Sequence, residues 1–161
     1  MLNAGVLTIS DRSSQGLRQD SSGPQLADLL RQHEIEVVLT AVVPDEERDI
    51  RLVLIKWADD QLADLIITTG GTGLSPRDVT PEATTAVVQR LIPGMAEAMR
   101  AVSILKTPHA MISRAVAGVR GKTLIINLPG SPKGAIENLE AVLPALKHAI
   151  AKIQGDPSEC A

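Results

Sequence analysis

Leu65-Ile66-Ile67-Thr68-Thr69-Gly70-Gly71-Thr72-Gly73-Leu74-Ser75-Pro76-Arg77-Asp78-Val79-Thr80-Pro81-Glu82 decides how the chain is read. The opening run is short and β-rich, and the glycines break it. Thr80-Pro81-Glu82 then starts a helix, with Thr80 expected as N-cap and Pro81 at the first helical position. Strand, loop and helix start in that order form the joint of a βα unit. Such a loop suits an anion, because glycine backbone takes positive φ and approaches a ligand with no Cβ in the way, so N–H groups can converge on phosphate oxygens. Arg77 and Asp78 follow directly. One can offset phosphate charge, and the other can hold a divalent ion or orient a nucleophile.

A glycine turn by itself closes many α/β connections without any ligand, so the weight lies on the added Pro76-Arg77-Asp78 and Thr80-Pro81-Glu82. Two familiar phosphate motifs fail on spacing. The dinucleotide fingerprint would place its third glycine at Pro76, and the P-loop ending suggested by Gly121-Lys122-Thr123 would need glycine at Val116 and a following helix, where Leu124-Ile125-Ile126 reads as a strand.

Outward from the loop, apolar runs alternate with helical periodicity. This is the signature of βαβ units, with a mostly parallel open sheet covered by helices on both faces. Strands are predicted near 4–10, 36–43, over the apolar run 65–67, and near 115–119 and 123–127. Helices are predicted near 22–33, with Ser22 as cap, and over 46–60, 81–91, 94–105 and 132–153. Pro144 is expected to kink the last of these. Met95, Met99 and Val102 fall at buried spacing, and Trp57 reads as packed core. A single domain is expected over 1–154, with a flexible tail over 155–161.

Trp57 is the one aromatic ring among Phe, Tyr and Trp, and the net charge is −3. A chain without stacking platforms or a basic surface is a poor nucleic-acid binder. Met1 to Leu7 lack a charged leader and run directly into a strand pattern, so no signal peptide is expected. No apolar run approaches the roughly 20 residues that cross a bilayer. Cys160 is the sole cysteine, which fits a reducing cytoplasm. His33, His109 and His148 stand far apart, with no zinc-ligand spacing.

The polar motifs gather at carboxyl ends of strands: Ser10-Asp11 after the first, Pro44-Asp45 after the second, Gly70 to Asp78 after the third, and Pro129-Gly130-Ser131-Pro132-Lys133 after the last. In a parallel sheet those ends share one rim, where helix N-termini also point their N–H groups. Gly70, Gly71, Thr72, Gly73 and Ser75 would wrap a polyphosphate. Ser131, capping the final helix, would meet a second anion together with Gly130, Pro132 and Lys133. Asp45 and Asp78 bring negative charge to a phosphate site, which makes sense when a cation such as Mg²⁺ accompanies the ligand. Singly, Ser10-Asp11 also reads as a plain turn and Asp45 as an N-cap.

Ser10-Asp11, Asp20, Ser22-Gly23-Pro24, Pro44-Asp45, Thr69 to Gly73, Pro76 to Ala83, Ser113 to Gly118 and Leu128 to Pro132, in that order, resemble the MogA/MoaB family of molybdenum-cofactor biosynthesis proteins, from about residue 4 to residue 150. The resemblance is greater to the MogA subgroup, the molybdopterin adenylyltransferases. It implies a three-layer α/β/α fold, a homotrimer, and transfer of AMP from Mg²⁺-ATP to the terminal phosphate of molybdopterin. It also implies delivery of the product to a metal-insertion protein. Asp45 and Asp78 carry over as the essential acidic pair, and the charge argument above makes them the candidate metal ligands. The 70–73 loop carries over as part of the phosphate-binding site and Ser131 with its neighbours as a pterin contact, while Ser10, Asp11 and Arg77 are added as candidate ligand contacts from their place on the rim and their residue types. Three rivals stand beside this reading: a member of the MoaB subgroup, a molybdopterin carrier or scaffold without turnover, and a nucleotide pyrophosphatase of the CinA-like type.

Overall fold

The structure, a computed structural model, describes residues 1–159. Cys160 and the end of the expected tail lie outside the described residues.

Six strands form one sheet: β1 (Leu2–Ile9), β2 (Ile35–Val43), β3 (Leu65–Thr69), β4 (Arg90–Leu91), β5 (Ala117–Arg120) and β6 (Thr123–Leu128). Their order across the sheet is β2-β1-β3-β6-β5-β4. The pairs from β2 to β6 are parallel, while β5 runs antiparallel to both its neighbours. The helices are α1 (Asp11–Ser14), α2 (Ser22–Gln32), α3 (Glu47–Asp59), α4 (Thr80–Val87), α5 (Pro93–Ile104) and α6 (Pro132–Ile153), with a 3-10 turn over Pro108–Ile112. None of them is long and apolar enough to cross a membrane.

Central strands of a parallel sheet are buried on both faces, so β3 and β6 carry continuous apolar runs in place of alternation. Successive side chains of β3 enter opposite layers. Leu65 and Ile67 pack under α2, α5 and α6 with Leu26, Leu30, Met99, Leu139 and Leu146, while Ile66 packs under α3 and α4 with Ile50, Leu54, Trp57 and Val87. Burying each such aliphatic side chain is worth about 1.5–3 kcal/mol relative to exposing it. Trp57 is core, only 7% exposed. It fits because Gly5 has no side chain there: a Cβ would come 2.6 Å from the indole.

The three-layer, mostly parallel architecture matches the sequence reading, with several local corrections. Thr80 is the first residue of α4 and Val79 is its N-cap, because the Thr80 hydroxyl is buried and donates to Gly70 O at 2.9 Å. Ser22 likewise lies inside α2. The capping there comes from Asp20, whose Oδ1 accepts from Gly23 N at 3.0 Å. The helix expected over 81–91 stops at Val87, since Gln89 N and Ile92 N find acceptors in Val119 O and Ala117 O and make Arg90–Leu91 an edge strand. The strand expected from Ala115 begins at Ala117, where pairing with β6 begins. Helix α6 spans Pro132–Ile153 with Pro144 inside it. The short α1 and the 3-10 turn had no apolar period to announce them.

Candidate functional site

The carboxyl ends of β1, β2, β3 and β6 share one rim because these four strands are parallel neighbours. Main-chain bonds fasten their loops to each other: Ser10 N donates to Val43 O at 2.9 Å, and Gly70 N to Leu128 O at 3.1 Å. Gly70 (φ 104°) and Gly71 (φ 67°) occupy left-handed backbone. A side chain at Gly70 would overlap Ile9 O, and one at Gly71 would collide with the Thr80 hydroxyl. With Gly70 N engaged, the amides of Gly71, Thr72 and Gly73 make no hydrogen bond among the described residues. They are free of protein acceptors, and an anion could take them.

Both candidate carboxylates flank this loop. Asp45 Oδ1 lies 3.1 Å from the position a Cβ on Gly71 would take, and Asp78 Oδ2 lies 2.9 Å from that of Gly73. Asp45 is not the cap of α3, whose N-cap is Glu46. Its Oδ2 accepts from Asp11 N at 2.9 Å, and its own N–H donates to Asp11 Oδ1 at 3.0 Å. Burial is the main cause that pushes the Asp45 carboxyl up, and the Asp11 and Asp78 charges add to it, partly offset by the Asp11 amide and by Arg77. Asp78 Oδ2 accepts from Ser75 N at 2.9 Å.

Two cavities open on the rim, of about 350 Å³ and about 410 Å³. Asp45 lines the first with Ser10 and Gly70, and Asp78 lines the second with Thr72 and Gly73. Gly71, Gly130 and Ser131 line both. The wall between them is thin because Gly70 and Gly130 lie back to back, with room for a Cβ at Gly130 only 3.3 Å from Gly70 Cα. Ser131 Oγ caps α6 by accepting from Gly134 N at 3.2 Å. Thr69 Oγ1 donates to Pro129 O at 2.7 Å and so ties the two glycine segments together.

Five sequence-derived candidates lie outside the cavity linings. Arg77 bonds Asp11 through Nε and Nη2 at 3.1 and 3.0 Å and pairs with Glu46 at 2.8 Å. Its guanidinium holds the Asp11 carboxyl below the usual range. Ser75 folds back on Asp78, while Pro132 and Lys133 form the first turn of α6 behind Ser131. Sequence reasoning quoted Asp20 as a motif residue without giving it a site role, and passed over Arg18 in the first cavity and Arg100, Ser103, His109 and Asn138 in the second. Ser103 and Asn138 could have been found: they are polar residues inside apolar stripes, and they face each other with Nδ2 to Oγ at 2.8 Å.

The donor set suits a divalent cation that arrives with a phosphate ligand. Among the described residues no group of three or more His, Cys, Asp and Glu side chains could hold a metal ion by itself. Mg²⁺, however, usually takes one or two protein carboxylates and fills its shell with water and phosphate oxygens.

Residues 5–148 match the family described as "Probable molybdopterin binding domain". A molybdopterin adenylyltransferase of Helicobacter pylori is 44% identical over 157 residues, covering 96% of this chain and 89% of the relative. The solved structure of the molybdopterin biosynthesis enzyme MoaB from Thermus thermophilus superposes with a TM-score of 0.92 at 53% identity, covering 99% of this chain and 100% of that one. A structure of MogA gives 0.89 at 42% identity, covering 94% and 99%.

Proposed function

The chain belongs to the molybdopterin binding domain family, and on that premise we propose that it is a molybdopterin adenylyltransferase of molybdenum cofactor biosynthesis, which transfers AMP from ATP to the terminal phosphate of molybdopterin and releases pyrophosphate. The observation that carries this reading is the wall of Gly71, Gly130 and Ser131 common to both cavities. Two phosphorylated molecules, one in each cavity, can meet there phosphate to phosphate.

In the reaction an oxygen of the pterin phosphate forms a bond to the α-phosphorus of ATP, and the bond from that phosphorus to the bridging oxygen breaks. The electron pair leaves with pyrophosphate. A phosphate monoester is largely ionised at pH 7, with its second pKa near ~6, so the nucleophile needs no strong base. Positioning and charge compensation remain to be supplied. The unengaged amides of Gly71, Thr72 and Gly73 serve the phosphoryl oxygens, and Ser131 with the α6 N-terminus serves the second anion. Asp45 and Asp78 would hold Mg²⁺, which when bound neutralises charge on the reacting phosphates. With Trp57 in the core, no Phe, Tyr or Trp ring is offered to the pterin, which leaves hydrogen bonds, aliphatic contacts and the His109 imidazole that lines the second cavity.

With the family resemblance go a cytoplasmic homotrimer and delivery of the adenylylated pterin to a metal-insertion protein. Light scattering on the purified protein tests the trimer.

The activity is tested by incubating the protein with Mg²⁺ and ATP, with and without molybdopterin. Equal amounts of pyrophosphate and adenylylated pterin, formed only when molybdopterin is present, are expected. Binding without turnover would make the protein a carrier, and pyrophosphate without molybdopterin would make it a hydrolase.

A further inference from the structure

The segment that carries Asp78 has little structure of its own. Between Thr72 and Asp78 it contains no regular element, Leu74 is 64% exposed, and its internal bonds join Ser75 to Asp78. Arg77 ties one point of it to Asp11 and Glu46. At its base Thr80 N donates to Gly71 O at 3.1 Å, and from elsewhere its two ends are bridged by a residue of the segment between the 3-10 turn and β5. Arg114 N donates to Thr72 O at 2.9 Å, Nε to Gly73 O at 2.8 Å and Nη2 to Asp78 O at 2.8 Å. Nη1 pairs with Glu82 in the first turn of α4. Arg114 is itself braced: Arg100 on α5 donates through Nη1 to Ser113 O at 3.3 Å and to Ala115 O at 2.9 Å, so the main chain on either side of Arg114 is fixed.

A planar guanidinium with divergent donors can bridge two carbonyls and a carboxylate at once, and a lysine ammonium on the same stem cannot reproduce that fork. The two carbonyls it bridges bracket the loop, one next to the unengaged amides and the other on Asp78 itself. Arg114 does not line either cavity. Its side-chain bonds go to the two loop carbonyls and to Glu82.

From these contacts, and resting on the adenylyltransferase reading, we infer that Arg114 is a positioning residue that fixes the distance between the Asp78 carboxylate and the Gly71–Gly73 amides. A displacement of about 1 Å at a reacting centre costs on the order of 100-fold in rate, so the loss of this brace reads out in turnover before it reads out in folding.

The test uses the full chain with Arg114→Met, Arg114→Lys and, as a matched control, Arg120→Met. Arg120 also holds a main-chain carbonyl, Val87 O at 2.8 Å, and pairs with Asp59, but it lies away from both cavities. Arg114→Met is expected to lower kcat by roughly 30–100-fold, with KM for molybdopterin unchanged within about threefold and a higher Mg²⁺ concentration for half-maximal rate. Arg114→Lys should recover only a small part, and Arg120→Met should lower Tm while keeping wild-type kcat. Hydrogen exchange, which needs no activity, should show faster exchange at the bonded amides of the loop, Ser75, Asp78 and Thr80, in Arg114→Met and little change elsewhere. Wild-type kcat and exchange in Arg114→Met, or a loss that Arg120→Met reproduces at equal loss of Tm, would overturn the inference. A wild-type protein inert toward ATP and molybdopterin would instead contradict the functional reading, and the exchange measurement would still decide whether Arg114 holds the loop.

Discussion

Asp11 and Asp45 cap one another: the main-chain N–H of each donates to the carboxylate of the other, at 2.9 and 3.0 Å. The exchange welds the loop after β1 to the loop after β2, but the two carboxyls differ in character. Asp11 also receives the Arg77 guanidinium, whereas Asp45 turns its Oδ1 toward Gly71. The first is engaged by a guanidinium, and the second lines the first cavity.

The Asp45 carboxyl is raised above its ordinary value of 3.8, chiefly by burial. The ionised form is the one that holds a cation, so turnover should fall on acidification at a pH above the ordinary aspartate range. In Asp45→Asn the Mg²⁺ requirement should rise and that acid limb should disappear. A pH–rate profile at fixed and at saturating Mg²⁺ checks both, and an unchanged Mg²⁺ requirement would remove Asp45 from the metal site.

The same shift bears on stability. A raised carboxyl binds its proton more tightly in the folded state, so stability declines as pH rises from the unfolded value through the folded one, and the cost is then fully present at neutral pH. Asp45→Asn should therefore raise Tm at pH 7, and the difference should vanish as the pH falls below the unfolded value. Melting curves across that range measure it. A gain in Tm together with a loss of turnover in Asp45→Asn would be the usual mark of a functional group held against the preference of the fold.

Gly70→Ala combines a left-handed φ with overlap on Ile9 O. Strain of the first kind alone costs about 1–3 kcal/mol. The variant should unfold at lower denaturant and lose adenylyl transfer, while Gly121→Ala, with φ 56° but nothing within 4 Å, should lose less stability and keep activity. Denaturation and turnover measured on both variants separate the two effects.

Ser131→Ala removes the hydroxyl that caps α6. A lost cap costs ~1 kcal/mol of stability. Because Ser131 also lines both cavities, KM for molybdopterin should rise at the same time. A Tm loss with unchanged KM would confine Ser131 to capping.

Much of this was legible in the sequence because the information is local. The apolar runs of β3 and β6 and the stripes of α2, α3 and α6 specify a covered parallel sheet, and a parallel sheet brings loops from distant sequence to one rim. Ser131 was readable as a cap from Pro132 behind it. Thr80 was misread because a Thr-Pro start has the same local grammar whether the hydroxyl caps its own helix or reaches back to Gly70 O, and only the packed loop decides. Asp20 escaped the candidate list because its partners, Thr8 and Gly23, come together only when β1 and α2 pack. The engagement of Arg77 by Asp11 and Glu46 is likewise a product of tertiary contact, and no spacing rule encodes it.

The most direct test compares wild-type protein with Asp78→Asn, which removes charge from the second cavity and keeps an oxygen that can accept from Ser75 N. Adenylylated molybdopterin formed per second is the measurement, alongside direct binding of molybdopterin. The account predicts that Asp78→Asn stays folded, binds molybdopterin substantially and loses roughly 100-fold or more in transfer, the scale on which a transition-state electrostatic contact is worth several kcal/mol. Wild-type turnover in Asp78→Asn would contradict it.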